Sequence, residues 1–421
     1  MVAAVQPSVE QFADEASKWL SAHAQPRGDE AATHKSGGES FSVAVFHALG
    51  TEQEQHLLDE LVSWNQLKAE VGYHAITWPS EYGGLGLSKE HARAYARLEL
   101  AFSVPVRHET FSVTTGLVAP TVERFGTEEQ KQRFVTTFLR ADQLCCQLFS
   151  EPGAGSDLAG VGCRAVPDGD EWVLQGQKIW SSGAQYSQWG LLLARTDPDV
   201  PKHRGITAFL VPVRAPGVEI RPIKQMSGGA SFNEVFFDGA RVPDSLRLGA
   251  VGDGWNVALT TLGFERESSG SGGGSRRPGG SFQELLVSAR ALGRTGDPIV
   301  RDRLAQVYIR TRVQEMIGLR AEAGRQMGAP PGPEGSIGKL VWTDNLEFVS
   351  EVASLVVGPA LLADTGQWAT YEWTEHVLGA PGYRIAGGSD EIQRNIVGER
   401  VLGLPGEPRV DRNQAWKDVA R

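Results

Sequence analysis

The chain has 421 residues, of which 41% are hydrophobic and 22% are charged, and its formal net charge is −10. This composition is that of a globular protein with a large core, and the length predicts roughly three domains. The negative charge repels nucleic-acid phosphates and anionic membrane surfaces, so neither is an expected partner. The three cysteines, two of them adjacent, argue against a disulfide framework and favour a reducing cytoplasm.

The first third of the chain predicts helices. Near the N-terminus, Phe12, Ala16 and Leu20 recur at helical spacing. This segment lacks the basic region of a targeting leader, and no apolar run is expected to reach the length of a membrane span. Residues 1–140 are therefore predicted to form an N-terminal helical domain. Its further amphipathic segments are 53–71, 87–103 and 127–139.

The pattern changes to strands near residue 141. A short apolar run ends at Phe149, and two strand-like segments flank the turn Pro167-Asp168-Gly169-Asp170. Because no helical pattern alternates with these strands, residues 141–252 are predicted to form a β domain without the crossovers of a parallel sheet. Its further strands are expected at 189–195, 206–212 and 232–237.

Helical patterns return after Gly254 and define a C-terminal domain, 253–421. Within it, the Gly- and Ser-rich stretch 268–280 has too few apolar residues to pack a core and is predicted to be a mobile loop. Since helical patterns lie on both sides, we place this loop inside one domain. The predicted helices are 255–266, 282–293, 298–327, 336–358 and 389–401.

Several common catalytic motifs are missing. Gly153-Ala154-Gly155 lacks the third glycine of a dinucleotide fingerprint and the βαβ unit around it. Gly338-Lys339 is followed by Leu340, and position 333 is Pro333, so a P-loop is excluded. The chain contains no HExxH, paired CxxC or GxSxG motif, and no metal site is predicted.

Two segments of the β domain could carry chemistry. Ser150 to Asp157 is a Gly-rich loop after a strand, where close backbone approach, hydroxyls and free N–H groups suit a flat polar ring or a phosphate. Trp180 with Ser181 and Ser182 ends a second strand and could cover an aromatic cofactor. Taken alone, the loop is better explained as a common turn, and the Trp equally well as a core residue.

Two further segments lie among the C-terminal helices. Glu265 and Arg266 end an apolar helical segment and by default would be solvated charges. Gly387-Gly388-Ser389 precedes the last predicted helix, where a turn and N-cap expose N–H groups that can hold an anion. On spacing alone, a plain helix cap explains this segment better.

Together and in this order, these segments resemble the acyl-CoA dehydrogenase family over nearly the whole chain. The resemblance rests on WPSEYGGLGLS, SEPGAGSD, QGQKIWSSGA and GSDEIQRNIVGERVLGLP. It implies an α+β fold with an N-terminal helical domain, a central β-barrel-like domain and a C-terminal four-helix bundle. It also implies FAD bound non-covalently between the β domain and the bundle, and an acyl-CoA thioester as substrate.

The resemblance assigns most of the matching residues to the cofactor. Trp180 is expected to stack on the flavin ring, Ser182 to bond its N5 edge, and Ser156 to contact the thioester as well. Ser389 and Glu391 are expected near the diphosphate and the ribityl chain. The residues expected along the flavin and the thioester are Phe149, Ser150, Gly155, Ser156, Trp180 and Ser182.

The family reaction removes the α-proton of the thioester while a hydride leaves Cβ for the flavin. In most members the base is a glutamate in a Tyr-Glu-Gly-Thr turn, but the turn here reads Ala386-Gly387-Gly388-Ser389. In a minority, including the isovaleryl and long-chain enzymes, the base precedes an arginine on the helix after the β domain. Glu265-Arg266 matches that place, so the resemblance implies that Glu265 is the base and that Arg266 helps hold the site or the substrate.

Two departures concern the part of the family fold that completes FAD binding across a subunit interface. The family stretch Arg-x-x-x-Gly-Lys reads Ala289 to Arg294 here, with the cofactor-binding Arg290 displaced by one position, and a family glutamine is replaced by Leu355. We therefore expect a tetramer, made either of like chains or with a related subunit as in actinobacterial steroid side-chain dehydrogenases. A bulky or steroid acyl group would fit the small Gly387.

Three functions remain open from the sequence. The leading one is FAD-dependent α,β-dehydrogenation of an acyl-CoA, with electron-transfer flavoprotein as the acceptor. The second is a non-catalytic subunit that completes the flavin site of a partner chain, against which Glu265 and the intact Ser150-to-Asp157 loop speak. The third is a flavin monooxygenase or oxidase on the same fold, and no residue distinguishes it from a dehydrogenase.

Overall fold

The computed structural model describes residues 6–27, 43–47, 49–106, 108–270, 279–326, 333–363, 371–408 and 411–419. Helices occupy the first and last thirds of this part of the chain, and strands occupy the middle. The helices are α1 (Val9–His23), α2 (Thr51–Ala69), α3 (Lys89–Glu99), α4 (Glu109–Val113), α5 (Ala119–Phe125), α6 (Glu128–Leu139), α7 (Gly254–Gly270), α8 (Phe282–Ala291), α9 (Pro298–Gln326), α10 (Glu334–Val357), α11 (Glu372–Ile385) and α12 (Asp390–Ile396). The strands are β1 (Gln25–Pro26), β2 (Phe102–Ser103), β3 (Cys145–Leu148), β4 (Arg164–Asp168), β5 (Glu171–Lys178), β6 (Trp189–Arg195), β7 (Ile206–Pro212), β8 (Val218–Ile223), β9 (Phe232–Pro243) and β10 (Arg247–Leu248).

The start and the buried face of helix α1 follow from residues close to one another in the sequence. Ser8 and Gln11 form a reciprocal capping box at its start, and the predicted apolar face is buried through Phe12, Ala16 and Leu20. The helix predicted over 87–103 is shorter than expected, because β1 and β2 pair after α3 has ended. Helices α4 and α5, joined by a π-helical turn at Thr114–Val118, were not predicted from the sequence.

The middle of the chain forms an eight-stranded sheet in the order β10-β7-β6-β4-β5-β9-β8, with β3 paired beside β6. The predicted β4–β5 hairpin is confirmed, and its strands pair from Arg164↔Gln175 to Asp168↔Glu171. Most pairs are antiparallel, but β3 runs parallel to β6 in register Cys145↔Trp189. Strand β8, which is mostly exposed at the sheet edge, was missed because it lacks an apolar run.

Helix α7 connects the sheet to the C-terminal helices. It packs on β7 and α5, and the Thr261 and Thr121 hydroxyls lie 3.0 Å apart in that buried contact. A second core lies among α8, α9, α10 and α11, where Trp373 of α11 is completely buried. Its indole donates to Ser288 Oγ of α8 at 2.9 Å, so this polar atom of the core is satisfied.

The prediction of a mobile loop at residues 268–280 is partly wrong. Helix α7 continues to Gly270, which places 268–270 inside it, and residues 271–278 lie outside the described part of the chain. Gly280 is packed, since it donates to His376 Nδ1 at 2.9 Å and a Cβ on it would lie 2.5 Å from the Trp373 ring. Helix α11, against which it packs, was not predicted.

All of helix α10 but its first residue lies in the segment Gly335–Leu362, which is long and apolar enough by length and composition to cross a membrane. The expectation that no run reaches this length was therefore wrong. Helix α10 packs on α8, α9 and α11 and buries Val352, Ala353 and Val356 among them. A helix at the centre of a bundle is apolar around much of its circumference, so it meets the same criterion.

Candidate active site

The ends of β3 and β5 lie side by side and bring two of the predicted segments together. Ile179 N donates to Ser150 O at 2.9 Å, so the chain leaving β5 continues alongside the chain leaving β3. Lys178, the last residue of β5, is completely buried and donates from Nζ to Phe149 O at 3.0 Å. The Phe149 side chain is itself buried, so this residue offers only its backbone to a ligand.

Glu151 is the counterion of this buried ammonium. Its carboxylate lies 2.7 Å from Lys178 Nζ and also accepts from Gly162 N and Cys163 N at 2.7 and 2.9 Å. The ammonium group and the two backbone N–H groups compensate the Glu151 carboxylate for the water that it loses on burial. The first half of the Ser150-to-Asp157 loop is thereby fixed, while Gly155 and Ser156 remain exposed at its tip.

Trp180 projects from the end of β5. Its φ is 61°, in the left-handed region that bulky residues rarely adopt, and its side chain is 57% exposed. The turn after it is tied to β9, because Gly183 N donates to Ser231 O at 2.8 Å and Ser181 N donates to Asn233 O at 3.0 Å. The predicted alternative, a core Trp at a strand end, is therefore wrong, and the indole is available to a ligand.

The turn at Ser182-Gly183 packs directly on α4. A Cβ on Gly183 would lie 1.6 Å from Thr110 Oγ1, so only glycine allows this approach. The contact brings Glu109, the first residue of α4, near the Ser182 hydroxyl. Glu109 is accessible to water yet has protein on nearly every side, and this burial raises its pKa, although the Ser182 hydroxyl acts to lower the pKa of its carboxyl group.

A buried hydrogen-bonded group anchors the start of α4. His108 Nδ1 accepts from Thr110 N at 3.2 Å, so its Nε2 carries the proton and donates to Glu54 Oε1 at 2.8 Å. Tyr186 donates to the other Glu54 oxygen at 2.9 Å. Burial alone would raise the pKa of Glu54, but His108, His47 and Tyr186 outweigh it and lower that pKa.

The same group offers potential metal ligands that the sequence did not predict. The ligand atoms of His47, Glu54 and His108 lie within 4.8 Å of one another. A metal ion at His108 Nε2 would require the proton to move to Nδ1, where it would meet the Thr110 N–H. The hydrogen bonds therefore account for the group as a structural anchor of α4.

Glu265 faces the turn in which the usual family base would lie. A Cβ on Gly387 would lie 3.1 Å from Glu265 Oε1, and Gly387 has a left-handed φ of 64°. Tyr383 on α11 lies within electrostatic range of both carboxylates, since its pKa is raised first by burial and then by Glu109 and Glu265. Glu109, Ser182, Glu265, Tyr383 and Gly387 are thus brought together from the three parts of the chain, and we name the region that they define the central cleft.

A polar network holds the Gly387-Gly388 turn. Lys339 Nζ donates to Gly388 O at 2.9 Å and to Asp390 Oδ1 at 3.1 Å, and Arg384 Nε donates to Asp390 Oδ2 at 2.8 Å. Burial alone would raise the pKa of Asp390, but these hydrogen bonds lower it. The turn beside Glu265 is therefore held from α10 and α11.

Ser389 and Glu391 lie at the start of α12. Ser389 Oγ accepts from Ile392 N at 3.4 Å, which is the helix cap that spacing alone favoured. Glu391 is exposed, and hydrogen bonds from its own backbone N–H and from the Ser389 hydroxyl lower its pKa. Contact of either residue with a cofactor stays a prediction.

Two predicted residues are not joined to the central cleft by a contact in the described part of the chain. Arg290 is exposed on α8, which packs on α9 and α10. The side chain of Arg266 lies outside the described residues. Glu109 and Tyr383, by contrast, are cleft residues that sequence analysis missed, because both lie in helices that were not predicted.

Family models match the chain in three consecutive parts. They are the N-terminal, middle and C-terminal domains of acyl-CoA dehydrogenases, at residues 6–142, 146–240 and 252–402. The chain belongs to the acyl-CoA dehydrogenase family. It is accordingly an oxidoreductase that acts on acyl-CoA, with the three-domain architecture of that family.

Among curated proteins, the acyl-CoA dehydrogenase IpdE1 of Mycobacterium tuberculosis is 40% identical over 361 residues, which are 86% of this chain and 92% of IpdE1. Among solved structures, the Tcur3481-Tcur3483 steroid ACAD has a TM-score of 0.73 at 25% identity, covering 97% of this chain and 100% of that one. The ChsE4-ChsE5 complex from Mycobacterium tuberculosis has a TM-score of 0.69 at 25% identity and the same coverage.

Replacing Lys178 with methionine should destabilise this acyl-CoA dehydrogenase strongly. The change leaves the Glu151 carboxylate without its cation, and breaking a buried pair costs about 3–5 kcal/mol. The free energy of unfolding from urea titration measures the loss. Arg221→Ala, which removes the exposed partner of Glu219, is the control and should cost less than about 1 kcal/mol. A Lys178→Met protein as stable as the control would contradict the assigned role.

Gly183→Ala should separate the turn at Ser182 from α4. Its Cβ would overlap Thr110 Oγ1, so we expect the free energy of unfolding to fall by more than about 3 kcal/mol, from overpacking and backbone strain together. Gly239→Ala is a matched control, because Gly239 has a similar φ of 70° and no heavy atom within 4 Å of the added Cβ. It should lose only about 1–2 kcal/mol in the same urea titration. Equal losses would show that φ alone, and not the contact with Thr110, demands glycine.

Proposed function

We propose that the chain is a catalytic FAD-dependent acyl-CoA dehydrogenase in which Glu265 removes the α-proton of the thioester. The observation that supports this proposal most is the fit between Glu265 and Gly387. The turn that holds glutamate in most of the family has glycine here, and the Glu265 carboxylate lies 3.1 Å from where a side chain of residue 387 would begin. A carboxylate delivered from α7 thus reaches the place that is left empty on the turn.

The residues at the ends of β3 and β5 fit a flavin. A flat ring system placed on the exposed Trp180 indole would bury a large apolar face, and the Ser182 hydroxyl lies two residues further on. A Cβ on Gly155 would meet no atom within 4 Å, so a ligand has room there. In this proposal Trp180 and Ser182 hold the FAD, while Phe149, Ser150, Gly155 and Ser156 lie along both the FAD and the thioester. When bound, the flavin supplies the acceptor for the hydride that leaves Cβ.

Glu265 needs help from its surroundings to act as a base. The α-proton of a thioester is too weakly acidic for a carboxylate in water, so the site must exclude water and favour the protonated form of the base. Glu265 is half-buried on α7, and an acyl group that fills the central cleft would remove water from its carboxylate. Such desolvation raises the pKa of a carboxyl group, which makes it a stronger base.

Glu109 and Tyr383 shape the charge around that base. Glu109 brings a second carboxyl group within electrostatic range of Tyr383, on which the Glu265 carboxylate also acts. Burial and both carboxylates raise the pKa of Tyr383, so its hydroxyl stays protonated and acts as a hydrogen-bond donor at the cleft. In this proposal both residues orient the acyl group, and neither takes the proton.

We also propose that the chain works with a related second subunit and acts on a bulky, steroid-like acyl group. Support comes from the paired-chain steroid ACAD and the ChsE4-ChsE5 complex, both similar to this chain over nearly its whole length. The chain also exposes an apolar stripe, defined here as Tyr308, Ile309, Val313, Met316 and Leu319 on one stretch of α9. A contiguous exposed apolar face of this kind marks an interaction surface.

Glu265→Gln tests the proposed base. It should lower the rate of flavin reduction by about 100-fold or more, because it removes a general base while keeping the shape of the side chain. The measurement is anaerobic bleaching of the flavin with octanoyl-CoA, isovaleryl-CoA and a steroid side-chain CoA thioester. Glu128→Gln, an exposed change on α6, is the control.

The double change Glu265→Gly with Gly387→Glu should restore part of the lost rate, because it returns the carboxylate to the same space from the turn. Full activity of Glu265→Gln would refute the proposed base. A chain that binds flavin only with a partner would favour the subunit hypothesis, and rapid reoxidation of its flavin by oxygen would favour an oxidase. Slow reoxidation, with transfer to electron-transfer flavoprotein, would support the proposed acceptor.

Val313→Asp combined with Met316→Asp tests the apolar stripe. Burying two new carboxylates in an interface is unfavourable, so the variant should lose its assembly with the partner while its free energy of unfolding stays within about 1 kcal/mol of the original. Light scattering after size-exclusion chromatography measures the assembly. Arg301→Asp, an exposed change on the same helix, should leave the assembly intact. Unchanged assembly in the double variant would rule the stripe out as the interface.

A further inference from the structure

The last described residues of the chain, 411–419, follow the C-terminal helices but lie against the β domain, and we name them the C-terminal strap. Trp416 N donates to Val200 O at 2.9 Å, and Lys417 N donates to Pro198 O at 3.1 Å. Ala415 forms an isolated β-bridge with Pro201. The strap is thus hydrogen-bonded by its backbone to the loop between β6 and β7.

Trp416 is the buried residue of the strap. Its side chain is 9% exposed, and its ring centroid lies 4.7 Å from Arg195 Cζ, in a cation–π contact. Its indole N–H donates to Gly160 O at 3.2 Å, between residues 256 positions apart. One side chain therefore connects the end of the chain with the turn that follows the Ser150-to-Asp157 loop.

Arg195 and Lys202 hold the same turn from the other side. Arg195 is 2% exposed, and its Nη2 donates to Ala159 O at 2.6 Å and to Val161 O at 3.1 Å. Lys202 Nζ lies 3.0 Å from Asp157 Oδ2 and 2.7 Å from Asp411 Oδ2, so it joins the turn to the strap. The Arg195 guanidinium thus contacts both the carbonyl oxygens of the turn and the Trp416 ring, and it joins the turn to the strap.

These contacts leave the tip of the Ser150-to-Asp157 loop between two anchors. On one side, Glu151 is fixed by Lys178 and exchanges backbone hydrogen bonds of 3.0 and 3.1 Å with Ala154. On the other side, Asp157 begins the turn that Arg195, Lys202 and Trp416 hold. Only Gly155 and Ser156 lie between Ala154 and Asp157, and both are exposed.

We propose that Trp416 is a positioning residue, through which the C-terminal strap sets the place of Gly155 and Ser156 for binding of the thioester. The binding role of Gly155 and Ser156 rests on the proposed function, whereas the mechanical link from Trp416 to the loop does not. A short loop tip that contains Gly155 and closely follows Gly153 has high conformational freedom of its own, so its placement depends on the anchors on either side. The strap supplies the second anchor.

Hydrogen–deuterium exchange of the full-length holoenzyme tests the mechanical link. Trp416→Ala removes the cation–π contact and the hydrogen bond to Gly160 O, so exchange in the peptide covering residues 152–162 should rise about tenfold or more. Trp416→Phe keeps a ring over Arg195 but loses the hydrogen bond, so it should give a smaller rise. Lys417→Ala, which removes only an exposed ion pair with Asp199 on the same strap, is the matched control and should give none.

Isothermal titration calorimetry tests the role of the loop in thioester binding. The ligands are octanoyl-CoA and the steroid side-chain CoA thioester. Trp416→Ala should raise the dissociation constant about fivefold or more, while Lys417→Ala leaves it unchanged. If Trp416→Ala does not fold, Lys202→Met, which detaches Asp157 and Asp411 from each other, serves in both measurements with the same expected direction.

The outcomes distinguish the mechanical link between Trp416 and the loop from the role of the loop in thioester binding. Unchanged exchange in residues 152–162, or an equal rise throughout the protein, would refute the positioning role. A local rise in exchange without weaker thioester binding would show that the strap holds the loop but that the loop does not bind the thioester. If the unaltered protein binds neither thioester, the proposed function and the binding role of the loop both fail, while the exchange result still decides whether Trp416 holds the loop.

Discussion

The buried ion pair between Lys178 and Glu151 is the constraint on which the rest of the site depends. An ammonium group with no access to water is stable only if its charge and its donors are matched, and here Glu151 and Phe149 O match them. The pair joins the chain leaving β3 to the chain leaving β5. Because Trp180 and Ser182 follow one strand and Ser150 follows the other, the pair sets the distance between all the flavin contacts expected on the β domain.

The helices complete the central cleft from both sides of this anchor. Gly183 lets α4 approach until Glu109 meets Ser182, and α7 carries Glu265 to the Gly387-Gly388 turn. Two carboxyl groups, one from the N-terminal helices and one from the C-terminal helices, thus lie at the central cleft together with the neutral hydroxyl of Tyr383. An enzyme that removes a weakly acidic proton requires such a place, in which a carboxylate is surrounded by protein and can be cut off from water.

If Glu265 is the base, as proposed, its relation to Gly387 is a case in which one fold supplies the base from either of two elements. Catalysis requires a carboxylate at a point in space, and it does not require that the carboxylate come from a particular helix or turn. A glycine on the turn leaves the point free, and α7 fills it. The polar network around Asp390 then holds the turn in place although its two glycines have no side chains of their own.

The sequence by itself determined the elements whose signals are local, and it placed the chain in its family. The capping box and apolar face of α1, the β4–β5 hairpin, and the shift from helices to strands and back are each written within a few neighbouring residues. The four motifs, in order, indicated the acyl-CoA dehydrogenase architecture, and the resemblance singled out Glu265 because glycine occupies the usual base position and Glu265-Arg266 matches the alternative one. Helices α4 and α11 were not predicted, because α4 has only 5 residues and the pattern of α11 is interrupted by Gly379, Pro381 and Gly382.

Only the tertiary structure decided which distant residues meet. No local pattern pairs Glu109 with Ser182, places Oε1 of Glu265 beside Gly387, or ties Trp416 to Gly160 across 256 positions. Such contacts arise when whole elements pack, and a side chain then takes its role from its new neighbours instead of from its sequence neighbours. For that reason the sequence alone did not show the contacts of Glu109 and Trp416, and on local pattern Glu265 resembled a solvated charge.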